Sequence, residues 1–231
     1  MPEHPYTAVL VDLDGTIADS APGITATLAY TYEALGMPVP PPAELLRWVG
    51  PPILDSFRDL AGLDAARSQR ALAIYRERYL ERGAVDARIY PEIADVLRDI
   101  HGAGVSLSLA TSKPETPARL ILERFGLVPC FDELTGASED EVRSAKADVV
   151  AEALRRLAAG GHDLSRPVMV GDRRHDIEGA AAHGVPTIFA AWGYGAPAEA
   201  AGAVATAATP DELRPLLGLS PVTSAAARTP R

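Results

Sequence analysis

The chain has one cysteine, Cys130, among its 231 residues. No intramolecular disulfide can form, and a reducing compartment is the expected setting. Lysine is almost as scarce. Of 22 basic residues only Lys113 and Lys146 are lysines, and the other 20 are arginines. Alanine is abundant too, the pattern of a genome that favours arginine codons, so a lysine that persists here is expected to be needed as a lysine. No apolar run is long enough to span a bilayer. The first apolar segment starts near residue 7, which leaves no room for a signal peptide. Basic runs do not exceed Arg155-Arg156 and Arg173-Arg174, and the formal net charge is −9. That balance argues against nucleic acid or an anionic membrane surface as the main partner. A cytoplasmic protein is expected, and oligomeric state is not readable.

What is present starts with Thr7-Ala8-Val9-Leu10-Val11-Asp12-Leu13-Asp14-Gly15-Thr16. A β-branched and apolar run reads as a buried strand, and it ends in two carboxylates separated by one leucine. Alternation along a strand sends Asp12 and Asp14 to one side and Leu13 to the other. Two carboxylates in one small volume repel unless one keeps its proton or a cation neutralises them. A hard divalent ion with oxygen ligands, Mg²⁺ above all, resolves that repulsion. Gly15 allows a sharp turn and a close approach of backbone to an anion. Taken alone, Asp-Gly equally marks an ordinary turn.

Beyond Thr16 the pattern turns helical. Asp19-Ser20 before Ala21-Pro22 reads as a helix start with Asp19 as cap, and Gly36 as its end. Four prolines in 37–42 interrupt, short helical segments follow near 43–49 and 52–61, and a longer helix spans about 64–82. It carries Leu72, Tyr75, Tyr79 and Leu80 on roughly one face. Residues 17–83 thus predict an all-helical cap domain inserted after the first strand, leaving 1–16 and 84–217 as an α/β core. In that core, Pro91 opens a helix that Gly102 and Gly104 break. Strands are expected at 105–110, 133–135, 167–170, 187–190 and weakly at 203–206. Helices fall between them at 114–125, 145–158 and 176–183, with a last one at 210–217. Strand–helix alternation predicts a Rossmann-like parallel sheet covered on both faces. Residues 218–231 read as a disordered tail.

In such a sheet, ligands sit at the carboxyl ends of the strands. The residues delivered there are Asp12 and Asp14, then Thr111, Ser112 and Lys113, then Lys146 at a helix start, then Gly171, Asp172 and, one turn later, Asp176. Each has a plainer reading alone. Thr111 and Ser112 can cap the helix at 114, Lys146 can be a solvated charge, Asp172 a turn residue, and Arg173, Arg174 and His175 exposed first-turn residues.

Together and in this order they resemble the haloacid dehalogenase superfamily. The matching motifs are Asp-x-Asp-Gly-Thr, a Thr/Ser strand end, a helix-starting Lys and Gly-Asp-x-x-x-Asp. One departure is Lys146-Ala147-Asp148 where many relatives have Lys-Pro. The resemblance implies a phosphatase working through an aspartyl-phosphate, with Asp12 as nucleophile and Asp14 as general acid/base. Mg²⁺ would be bound by Asp12, the Asp14 backbone carbonyl and Asp172, with Asp176 orienting bound water or Lys146. Thr111, Ser112 and Lys146 would receive the phosphoryl oxygens. Dehalogenase members lack the second aspartate, and the phosphonoacetaldehyde hydrolase branch needs a cap lysine that 17–83 does not contain. A phosphatase acting on a small-molecule phosphate ester, or a sugar-phosphate mutase, remains. Arg47-Trp48-Val49-Gly50-Pro51-Pro52 resembles the substrate loop of the phosphoglycolate-phosphatase-like group. There Arg47 and Gly50 would meet the leaving group, although a surface arginine packed on Trp48 is an equal reading. A receiver-like phospho-aspartate switch is the alternative from another class, disfavoured by the helical insert.

Overall fold

The structure is a computed structural model describing residues 4–219. The expected tail lies, from residue 220 onward, outside the described residues. The chain runs β1 (Ala8–Val11), β2 (Ala18–Asp19), α1 (Ala21–Ala34), α2 (Pro42–Leu45), α3 (Ile53–Asp59), α4 (Ala65–Glu81) and β3 (Arg88–Ile89). It continues α5 (Ile93–Gly102), β4 (Ser106–Pro114), α6 (Glu115–Arg124), β5 (Glu133–Ala137) and α7 (Lys146–Ala159). It ends β6 (Pro167–Gly171), α8 (Arg174–Ala181), β7 (Thr187–Ala190), β8 (Ala205–Ala207) and α9 (Leu213–Leu216).

Six strands form one parallel sheet in the order β5-β4-β1-β6-β7-β8, which places β1 at the centre beside β4 and β6. A central parallel strand is covered on both faces, and every β1 side chain is buried accordingly. Alternation splits them. Val9 and Val11 join the large core shared with α5, α6 and α9, while Leu10 packs with Val149, Val150, Ala153 and Ala180 of α7 and α8. The chain order reverses on either side of β1, so the crevice at its carboxyl end is where a ligand site is expected.

Between β2 and β3 lie four helices. The two short strands pair antiparallel, Ala18 with Ile89 and Asp19 with Arg88, so the chain leaves and re-enters the core side by side. Inside this insert an aromatic series fills the interior. Trp48 meets Phe57 edge-on at 5.1 Å, Phe57 meets Tyr75 at 6.4 Å, and Tyr75 stacks on Tyr79 at 5.5 Å. Such pairs add to the stabilisation from burial alone.

Several local expectations are corrected. Asp19 is not a helix cap. Ser20 occupies that position without a side-chain bond, and Asp19 accepts the Tyr194 hydroxyl proton at 2.6 Å, a partner far away in sequence. Leu80 is exposed, because the buried stripe of α4 is Ser68, Ala71, Leu72, Tyr75 and Tyr79. Helix α5 begins at Ile93, after Glu92 in the left-handed region, and keeps Gly102 as its last residue. Strand β4 runs on through Thr111, Ser112 and Lys113 to Pro114, with a register shift against β5 after Ala110.

Phe57 is fully buried between Trp48 and Tyr75. Phe57→Ala is expected to cost about 3–5 kcal/mol of unfolding free energy, measured by urea denaturation. A loss under about 1 kcal/mol would contradict the packing described.

Candidate active site

Strand β1 ends at Val11, and the chain stays beside β6 for one more step as Asp12 N donates to Val170 O at 3.0 Å. Gly15 then turns at φ +87°, and a Cβ there would lie 2.2 Å from Asp172 Oδ2. Only glycine fits a backbone that passes this close to a carboxylate with positive φ. At the end of β6, Asp172 accepts from Tyr194 N at 2.7 Å and from the Thr16 hydroxyl at 3.3 Å. Asp176 sits in the first turn of α8 and accepts from Arg173 N at 2.9 Å. Lys146 opens α7 and reaches back, its Nζ 2.8 Å from Asp12, 2.8 Å from Asp176 and donating to Ala110 O at 3.0 Å. Four elements thus deliver Asp12, Lys146, Asp172 and Asp176 to one buried point.

The two β1-proximal carboxylates do not share a partner. Asp12 pairs with Lys146, whereas Asp14 pairs with Lys113 at 3.0 Å. Lys113 also donates to the Tyr79 hydroxyl at 2.9 Å and lies over that ring. The repulsion foreseen between Asp12 and Asp14 is therefore relieved by two lysines, and the carboxylate cluster forms elsewhere. Ligand oxygens of Asp12, Asp172 and Asp176 lie within 4.8 Å of one another. Three carboxylates against Lys146 leave two formal negative charges uncompensated, the charge of one divalent cation. Asp12 Oδ1 and Asp176 Oδ1 are buried and meet Lys146 as ion pairs, with no hydrogen bond directed at either. An all-oxygen donor set of this kind fits a hard divalent ion. The side chain of Asp14 is not part of it.

Burial and mutual repulsion set the protonation. Asp172 is held well above the usual carboxylate range by burial, then by Asp176 and Asp12. Asp176 is pushed up to about 6 by burial against the opposing pull of Lys146. Burial works against the charge on Lys146, but Asp12 and Asp176 outweigh it and hold the ammonium protonated. Asp14 and Tyr79 do the same for Lys113.

The remaining expected residues divide. Thr111 is buried, and its hydroxyl accepts from Lys113 N at 3.3 Å, so it does not cap α6, whose cap is Pro114. Ser112 and Gly50 line both clefts that flank the Gly50-Pro51 loop. Arg47 is exposed and lines neither. Arg173, expected on the surface, is instead half-buried. It donates to Val49 O in the helical insert at 2.5 Å and pairs with Glu199 at 3.1 Å. The sequence reading left out the roles of Lys113, Tyr79, Arg173 and Tyr194. For Lys113 a signal existed, since it is one of two lysines. For the others nothing local distinguishes them.

Acidic groups, a lysine and a Thr-Ser strand end converge at the switch point of a parallel sheet, beneath a helical insert. This defines the centre of a parallel α/β fold able to hold a divalent cation and an anion together. The sequence pattern of the haloacid dehalogenase-like hydrolases matches residues 9–190, and the chain belongs to that family. It is 41% identical to the tyrosine-protein kinase PtkA of Mycobacterium tuberculosis over 91% of this chain and 72% of that protein. It is 35% identical to a 5'-nucleotidase of Pseudomonas aeruginosa, covering 82% and 85%. A phosphoglycolate phosphatase of Caulobacter vibrioides is 32% identical, covering 80% and 79%. A predicted phosphatase from Clostridium acetobutylicum superposes with a TM-score of 0.86 at 34% identity, covering 93% and 99%. The family, the 5'-nucleotidase, the phosphoglycolate phosphatase and the predicted phosphatase point to a phosphoric monoester hydrolase. No helix among the described residues is long and apolar enough to cross a membrane.

The raised carboxylates give a stability signature. Asp176 takes up its proton near pH 6 in the folded chain against about 4 when unfolded. The folded form then binds the proton more tightly, so its stability is highest below about pH 4 as far as this group is concerned. That contribution is lost as pH rises through about 6. A divalent ion offsets the loss by neutralising the cluster. Millimolar Mg²⁺ is therefore expected to raise the melting temperature of chelator-treated protein at pH 7.5 by several degrees, and far less at pH 5. Asp172→Asn should reduce the shift in a thermal melt, and an equal shift at both pH values would contradict the assignment.

Proposed function

We propose that the chain is a Mg²⁺-dependent phosphatase that hydrolyses a small-molecule phosphate monoester through an aspartyl-phosphate on Asp12. The observation that carries this is the buried Asp12–Lys146–Asp176 contact beside Asp172, with Asp14 set apart on its own lysine. Asp12, Asp172 and the Asp14 backbone carbonyl would hold the ion, with Asp176 fixing Lys146. When bound there, Mg²⁺ supplies the positive charge that lets an anionic nucleophile and an anionic ester share one site.

Asp12 attacks phosphorus and displaces the alcohol. Asp14, on the side of the cleft that takes the leaving group, gives the departing oxygen a proton and then takes one from the water that hydrolyses the intermediate. Lys146, Ser112 and Thr111 bind the phosphoryl oxygens as charge gathers on them. Lys113 holds Asp14 in place. Residues 17–83 act as a cap over the α/β core of 1–16 and 84–217, fastened by Arg173 to the Val49 carbonyl. Covering the site keeps bulk water away from the charged groups and so strengthens the electrostatic contacts made there. A cytoplasmic setting suits a chain whose one thiol, Cys130, is free and buried. The hydrolase relatives favour water over a second sugar hydroxyl as acceptor, and so favour phosphatase over mutase.

The 41% identity to a protein named tyrosine-protein kinase supports a second reading, in which the group on Asp12 passes to a phenol instead of water. Incubation with ATP and a tyrosine peptide separates the two, since only the second yields a phosphopeptide.

Asp12→Asn is expected to lower kcat on an aryl phosphate about a thousandfold or more, with unchanged circular dichroism. Full activity in that variant would refute the nucleophile assignment. Asp14→Asn is expected to slow turnover by about 10² to 10⁴. Acid quench of wild type should trap a hydroxylamine-sensitive phosphoprotein that Asp12→Asn does not form.

A further inference from the structure

The cleft above Asp14 says what kind of alcohol leaves. It encloses about 360 Å³ between the helical insert and the end of β4. One wall is apolar and aromatic, made by Ile24, Trp48, Ile53, Leu72 and Tyr75. A volume of that order lies at the small end of ligand-binding clefts and accepts a ring-sized group.

Its charges are already committed. The lining holds two cations, Arg76 and Lys113, and three carboxyl groups, Asp14, Glu139 and Glu141, so with Asp14 protonated to act as the acid it carries no net positive charge. Arg76 Nη2 lies 2.6 Å from Glu141 Oε1. Its Nε has no acceptor but is closed off from solvent, and so from a ligand in the cleft. Lys113 is taken by Asp14 and Tyr79. Glu139 accepts from Thr116 N at 3.2 Å. Arg47, expected to meet the leaving group, is exposed and does not line the cleft. A leaving group with a carboxylate or a second phosphate would thus lose its hydration and meet, among the described lining residues, only cations that already pair with a carboxylate. An uncharged ring would bury apolar surface against the aromatic wall at no such cost.

We propose that the leaving alcohol is uncharged and carries a ring, as an arylalkyl or nucleoside ester does, and that the cleft rejects carboxylate-bearing esters such as 2-phosphoglycolate. This rests on the phosphatase reading above. Asp14 delivers its proton to the ester oxygen of this alcohol, the P–O bond breaks, and the neutral alcohol leaves between Trp48 and Tyr75.

The test compares kcat/KM with Mg²⁺ for benzyl phosphate, glycerol 3-phosphate and 2-phosphoglycolate, three esters of primary alcohols. Benzyl phosphate is expected to exceed 2-phosphoglycolate at least tenfold, and a smaller ratio overturns the charge exclusion. Benzyl phosphate should also exceed glycerol 3-phosphate at least threefold, and a smaller difference overturns the ring preference. Glu141→Gln removes one negative charge and frees Arg76, so the ratio of 2-phosphoglycolate to benzyl phosphate should rise at least fivefold. An unchanged ratio overturns the role given to Glu141 and Arg76. Turnover led by 2-phosphoglycolate sinks the specificity alone. No turnover of any ester, with no acid-trapped phosphoprotein, sinks the phosphatase reading and the specificity with it.

Discussion

Three aspartates crowd one buried point at the carboxyl end of β1, and a single lysine cannot neutralise them. Buried like charges at such separations repel, so the cluster holds protons above the usual carboxylate range or takes a cation. The rest of the molecule accommodates this constraint. Glycines at 15 and 193 leave room for backbone to press against Asp172, where a Cβ on either would collide with it. Helix α7 starts where its first side chain reaches the cluster, and the α8 terminus meets Asp176 with the Arg173 amide. A fold that concentrates negative charge in this way is suited to bind a cation first and an anionic ester with it.

The second lysine separates two chemical tasks. Asp12 and Asp14 are neighbours in sequence, yet Lys146 and Lys113 draw their carboxylates into different surroundings, one toward the acidic cluster and the other toward the cleft under the helical insert. Tyr79 reaches Lys113 from α4, so the insert contacts the group that holds Asp14. Arg173 makes the complementary contact, from the core to Val49 in the insert. Core and insert are thus joined at both sides of the Gly50-Pro51 loop, and each joint lies within reach of a site residue.

Much of this was legible in the residues. The strand at Thr187–Ala190 and helices α6 and α7 fall within a residue or two of their expected ends, because apolar periodicity and glycine stops leave few alternatives. The convergence of Asp12, Lys146, Asp172 and Asp176 followed from a general property of parallel sheets, which gather their strand ends. Other features were not legible. Asp19 beside Ser20 has the look of a helix cap, but a tyrosine 175 residues later takes its carboxylate. Leu80 fits an apolar stripe by spacing and still faces outward, since the aromatic wall of α4 is completed by Tyr75 and Tyr79. Arg47, read as either a substrate contact or a surface arginine, is exposed, whereas Arg173, read as a surface residue, is half-buried against the insert.

The chain's own residues determined the order of strands and helices, the helical insert and the identity of the groups at the strand ends, because these follow from periodicity, turn residues and motif spacing along a line. Tertiary structure alone decided which lysine serves which aspartate. It alone left the cleft over Asp14 aromatic and without a spare cation. Those are matters of distance between residues remote in sequence, and pairing energies act on distance in space, which linear spacing does not encode.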